Sequence, residues 1–269
     1  LHHLMDVYMQ AVNPAKPSVA FLLGAAVSGW GLFYAGRPRL ATALIAALWS
    51  CLLIGGWSGL FTSRRGVLLL VAIIIVTKCV SAIAGAWFAR HRIKVPTKRD
   101  HFFFLAAMAV SLWLLTQPST RSRLLGVEGY RVQGNGMAPT LMTGDAVVCD
   151  SRRRDYSLGD VVAYEREGKV EVKRIAATEG NSIEIIDGNV LLNGENFGPF
   201  HSWSPREKIY SQSFERTKIP RGYVFMLGDN RDNSRDSRFD GPVALASVRC
   251  KTTEIVYSVD GRKTGTAIW

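Results

Sequence analysis

The first 116 residues carry eleven Lys and Arg but only two acids, Asp6 and Asp100, and nearly all of these charges fall between long apolar runs. The runs lie at about 19–36, 40–61, 66–89 and 101–116. A helix needs about 20 apolar residues to cross the hydrocarbon core of a bilayer. The second and third runs meet that length, the first is rich in glycine, and the fourth is short but uncharged. The pattern predicts a membrane domain over residues 1–116 with about four transmembrane helices. Residues 117–269 hold 22 Lys and Arg against 20 acids, so most of the net charge of +11 belongs to the apolar half. A basic excess placed between membrane runs argues against a nucleic-acid partner and for the lipid bilayer.

The connecting loops set an orientation. The third loop holds Arg90, Arg92, Lys94, Lys98 and Arg99, which the positive-inside rule places in the cytoplasm. Four spans then put the N-terminus and the whole polar half outside. Lys78 is a charge within the third run, and no Asp or Glu lies in any run to pair with it. It reads as a snorkelling or bundle-facing lysine, and the lack of membrane acids argues against a proton-coupled transporter.

From Leu124 the pattern changes to short runs rich in Val and Ile, such as AVVCD, VVAYE, VEVKRIAA, SIEII, NVLLN and YVFMLGD. Turn signals separate them at Gly144, Gly159, Asp187-Gly188 and Asn193-Gly194. Spacing of about ten residues predicts an antiparallel barrel or paired sheets over residues 117–269. Residues 196–216 read as a loop or inserted hairpin with three exposed aromatics, Phe200, Trp203 and Tyr210. Only one histidine, His201, lies in this half, which argues against a histidine-based triad or a histidine-rich metal site. No metal or organic cofactor is indicated. Cys149 and Cys250 could join in an oxidising compartment, and their pairing stays open at this level.

Three segments carry the chemistry: GNGMAPTLMTGD at 134–145, VKRIAATEGNSIEI at 172–185 and GDNRDNSRDSRFDGPV at 228–243. In this order, after membrane spans, they resemble the signal peptidase I family of membrane serine proteases, whose members use a Ser/Lys dyad. The likeness runs from about Tyr130 to Val248, and the third segment is the most specific part. The resemblance implies a signal-peptidase-like β-domain outside a bacterial cell membrane, anchored by a multi-pass N-terminal region. It implies removal of signal peptides from exported preproteins, which are the expected partners. Lys173 matches the general base. An exposed lysine has a pKa near 10.4, and burial favours the neutral amine that can accept a proton. Ser234 matches the serine that orients the lysine. Arg174, Asp229, Asp236 and Arg238 match a bracing charged network. Gly134 and the backbone of Gly136 match the oxyanion site. Tyr130, Val132, Met137, Leu141 and Val172 match the substrate channel, which presents strand edges to an extended peptide.

The sequence departs from the family at one decisive position. Members read S-M-x-P-T-L with the serine as nucleophile, and this chain reads Gly136-Met137-Ala138-Pro139-Thr140-Leu141. Glycine has no side chain, so no acyl-enzyme can form there. Thr140, Asn135 and Thr143 are poor substitutes, because active members carry the threonine of Thr140 beside their serine and the motif gives Asn135 and Thr143 no local base. Glu179-Gly180-Asn181 stands where P-G-D is usual, and Asp240 stands where an aromatic is common. Three readings follow: a signal peptidase whose serine has been replaced, a natural pseudoprotease that binds signal peptides or a membrane partner, or a relative specialised for pilin or conjugation proteins.

Overall fold

The computed structural model describes residues 15–91, 96–202 and 206–268. The chain divides into two compact units, Leu1–Phe61 with Arg65–Leu125, and Thr62–Arg64 with Gly126–Trp269. Arg92, Lys94 and Trp203, singled out above, lie outside the described residues.

The first unit is helical. Its elements are α1 (Pro17–Ala26), α2 (Trp30–Tyr34), α3 (Pro38–Trp57), α4 (Arg64–Ala89), α5 (Lys98–Thr116) and α6 (Pro118–Leu125). Proline begins α1 and α3, where a missing N–H costs nothing. A capping box starts α5: Thr97 Oγ1 accepts from the Asp100 N–H, and the Asp100 carboxylate accepts from the Thr97 N–H at 2.8 Å. Two helices, α3 and α4, are long and apolar enough to cross a membrane. A third candidate arises if α5 and α6, bent by 87°, form one broken span or a re-entrant segment. The first run, expected as one span over 19–36, is instead two short helices. The break comes at Gly29, whose φ of 86° lies in the left-handed region that glycine enters at little cost. Lys78 Nζ donates to the Ala26 carbonyl at 3.1 Å, so the lysine serves a neighbouring helix end.

The second unit is mainly β. A seven-stranded sheet has the order β1-β2-β11-β3-β4-β9-β10, and a four-stranded sheet the order β7-β6-β5-β8. The strands are β1 (Val127–Arg131), β2 (Ala146–Asp150), β3 (Val161–Arg166), β4 (Lys169–Ala177), β5 (Ser182–Ile186), β6 (Asn189–Leu192), β7 (Glu195–Asn196), β8 (Phe214–Lys218), β9 (Tyr223–Leu227), β10 (Val243–Ala244) and β11 (Val248–Tyr257). Every pairing is antiparallel. The hairpin between β5 and β6 turns at Asp187 and Gly188, both at positive φ (49° and 74°), the conformation that matches strand twist. Two helical turns, α7 (Ile209–Gln212) and α8 (Ser237–Asp240), interrupt the strands.

Alternation along the strands builds separate cores. Met137, Leu141, Val147, Val161 and Ile255 pack together under the large sheet. Ile183, Ile185, Val190, Ile219 and Phe225 form the core of the small one. Phe200, expected to be exposed, belongs to this second core, and Tyr210 is half-buried. The weak periodicity of their segment hid this, because each residue is placed by a turn. Cys149 and Cys250 form a disulfide between β2 and β11, packed against Tyr130, Val170 and Val172. Replacing both cysteines by alanine should lower denaturant stability by about 2–5 kcal/mol. Reductant should produce the same loss in the natural chain and none in the double variant, read by urea unfolding of the full chain in detergent.

Candidate active site

β4 is longer than its neighbours allow it to pair. β3 pairs with it over Lys169–Arg174, but β9 pairs with it only from Arg174 onward. Residues 169–173 therefore keep one free strand edge. β1, at the border of the sheet, keeps another. Between them runs a groove of about 650 Å³, lined by Tyr130, Val132, Met137 and Val172 among others, with Gly134, Gly136 and Lys173 also on its wall. Of the five residues expected in the channel, Leu141 does not line it. It is fully buried in the core with Val147 and Ile255.

The loop after β1 is closed at its base by Val132 N–H to Asp145 O and Gly144 N–H to Val132 O, both at 2.8 Å. Met137 and Leu141 anchor its middle in the core. This leaves Gly136 facing β4. Its carbonyl accepts the Asn230 N–H at 3.1 Å, which ties the first segment to the third. A Cβ placed on Gly136 would lie 3.4 Å from Lys173 Nζ, 3.5 Å from Ser234 Oγ and 3.5 Å from the Asn233 carbonyl. A Cβ on Gly134 would meet nothing within 4 Å, so that position is open to the groove. Gly228 is different: a Cβ there would come within 2.4 Å of the Gly136 carbonyl, so only glycine lets these segments approach.

Lys173 is mostly buried, with 11% of its side chain exposed. Its Nζ lies 3.8 Å from Glu171 Oε2, and Glu171 accepts a hydrogen bond from Tyr164 at 3.0 Å. Burial, reinforced by the Glu171 charge, pushes the Tyr164 hydroxyl pKa up. Ser234 is buried, and its Oγ has no hydrogen-bond partner among the described residues.

Two buried ion pairs frame this point. Arg174 Nε and Nη2 donate to the Asp229 carboxylate at 2.9 and 2.8 Å, and Arg174 Nη1 donates to the Gly159 carbonyl. Thr140 Oγ1 donates to the same Asp229. Arg238 Nε and Nη2 donate to Asp236 at 2.8 and 2.9 Å, and Asp236 also accepts the Gly228 N–H. Asp240 joins Arg166 and Arg235, whose hydrogen bonds hold its carboxyl below the usual carboxylate range. Burial and the Arg174 charge push the His201 imidazole down.

Sequence reasoning gave no contacts to three contributors. Glu171 was expected only as part of the channel strand and Asn230 only as part of the third segment, and the structure shows that they touch Tyr164 and the Gly136 carbonyl. Arg231 is almost wholly buried, and its guanidinium donates to the Gly228 and Phe200 carbonyls at 3.0 and 2.6 Å. Burial, with the Arg238 charge beside it, lowers its pKa to about 10. The signal for it was present as the arginine of GDNRD.

The fold and groove define a class: a β-domain that offers two strand edges to an extended chain, with a buried lysine at one end. The chain belongs to the signal peptidase, peptidase S26 family, which it matches over residues 102–257, more than half its length. It is 31% identical over 122 residues to signal peptidase I P of Bacillus subtilis subsp. natto, covering 41% of this chain and 66% of that protein. It is 30% identical over 134 residues to the probable thylakoidal processing peptidase 2 of Arabidopsis thaliana, covering 45% of this chain and 35% of the relative. The chain thus spans about two thirds or less of these curated relatives. A crystal structure of a signal peptidase I from Enterococcus faecalis V583 is similar at 27% identity, covering 36% of this chain and 96% of that one, with a TM-score of 0.33.

Removing one member of a buried ion pair strands the other charge. Arg174→Ala should therefore cost about 3–5 kcal/mol of stability, while Arg174→Met with Asp229→Leu should cost less. Chemical denaturation of the three proteins checks the order.

Proposed function

We propose that this protein binds signal peptides of exported proteins in its groove, outside the cell membrane, and does not cut them. The carrying observation is the position at Gly136. A side chain there would point at both Lys173 Nζ and Ser234 Oγ, at 3.4 and 3.5 Å from its first carbon. That is where a nucleophile would stand, and this chain has none.

The rest of the machinery supports peptide binding. An extended peptide can add a strand between the edges of β1 and β4, with backbone pairing for affinity. Tyr130, Val132, Met137 and Val172 offer apolar surface to side chains at alternate positions. Gly134 and Gly136 line the same groove, where their backbone would serve a bound carbonyl. Lys173 stands beside it as the base position, and Ser234 is free to orient the lysine or a hydroxyl next to it. The site calls for no cofactor.

Location outside the membrane is supported by two independent features. The basic residues Arg90, Lys98 and Arg99 follow α4, as the positive-inside rule expects of a cytoplasmic loop, with one further crossing before the β-domain. The disulfide of Cys149 and Cys250 fits an oxidising compartment.

The natural chain should show no cleavage of a preprotein in detergent or vesicles. Gly136→Ser should raise turnover by about 10³-fold or more, and adding Lys173→Ala should return it to background. Turnover by the natural chain that Lys173→Ala abolishes would contradict the proposal.

A further inference from the structure

Residues 15–36 account for Lys78, the one charge inside an apolar run. α1 has ten residues, about 15 Å of helix, which is roughly half the hydrocarbon thickness, and α2 has five. Neither can cross. Their neighbours along α4 run in a consistent order. At the break between them, the Ala26 carbonyl accepts from Lys78 Nζ at 3.1 Å, the Gly29 N–H donates to Ser81 Oγ at 2.8 Å, and Ser28 Oγ lies 3.3 Å from Thr77 Oγ1. One turn further along α4, Gly24 of α1 abuts the Ala82 backbone, and Gly31 of α2 abuts Gly85. At the far end, Ala15 and Ala20 from one leg and Ala35 from the other share a buried cluster with Ala89, and the Arg37 guanidinium lies 4.8 Å from the Phe88 ring centroid.

We propose that residues 15–36 form a re-entrant hairpin, which enters the membrane from one face, turns near its middle and returns to the same face, with Lys78 and Ser81 serving the backbone of the turn. Lys78 and Ala89 are eleven residues apart, about 16 Å along α4. The hairpin's tip therefore lies that far from both its ends. Inside hydrocarbon no water can satisfy the peptide groups of a non-helical turn. Thr77, Lys78 and Ser81 place polar groups at just that depth. The lysine thus needs no acidic partner, because its partner is the carbonyl end of α1. Small residues, Gly24, Gly31, Ala82 and Gly85, let the backbones approach. The hairpin replaces the expected first crossing, so three crossings at most remain, with Lys16 and Arg39 on one side. That side is the cell interior if the orientation proposed above holds, since the Ala89 end of α4 leads into the basic loop.

The test is labelling of single cysteines by a membrane-impermeant maleimide, in full-length protein with Cys51→Ser and Cys79→Ser. Lys16→Cys, Ser18→Cys, Arg39→Cys and Arg65→Cys are compared in intact and permeabilised cells, each first shown to label fully after denaturation. Lys16→Cys and Ser18→Cys should label together with Arg39→Cys only after permeabilisation, and Arg65→Cys in intact cells. Labelling of Lys16→Cys and Arg39→Cys from opposite sides would overturn the hairpin. If both label from outside and Arg65→Cys only from inside, the hairpin stands and the orientation behind the proposed function falls.

Discussion

One carboxylate holds the three motif segments together. Asp229 receives two hydrogen bonds from Arg174 of β4 and one from Thr140 of the loop after β1, and it precedes Asn230, whose N–H binds the Gly136 carbonyl. Lys173 is next to Arg174, so the pair fixes where the lysine meets position 136. Both side chains are only 2% exposed. Burying them costs desolvation that their mutual attraction roughly offsets. The pair therefore contributes little net stability. Its value is geometric, because a misplaced segment would leave a charge buried alone.

Much of this was legible in the sequence, for physical reasons that differ by region. Alternating Val and Ile with Asp-Gly and Asn-Gly turns located the strands, because period-two burial and positive-φ turns are local properties. The bracing residues were legible through the resemblance, and the structure brings Arg174 to Asp229 and Asp236 to Arg238. What stayed hidden depends on register and packing. Nothing local shows that β9 stops pairing at Arg174 and leaves the lysine end of β4 free. Glu171 looks like one more strand residue until the pairing of β3 and β4 sets it against Tyr164. Phe200 looked exposed because a turn, not strand alternation, carries it into the core of the small sheet. In the apolar half, hydropathy located the apolar runs but could not see that Gly29 breaks the first one.

Gly136 changes what the scaffold can do without disturbing how it is built. The backbone at this position is held by Asn230 through its carbonyl, and the core is held by Met137 and Leu141, so a side chain at 136 is not needed for either. The groove edges lie on β1 and β4, and they depend on the disulfide and the apolar cluster beneath them. On the proposed function, binding surface and nucleophile are separable in this fold, and this chain has lost the second and kept the first.

Titration of the natural full-length chain with short peptides tests that separation most directly. A peptide with alanine at two alternate positions should bind saturably in detergent, with modest affinity because ordering a flexible chain opposes binding. A peptide with bulky residues at both positions should bind at least about tenfold more weakly. Equal binding of the two, or no binding of either, would contradict the account.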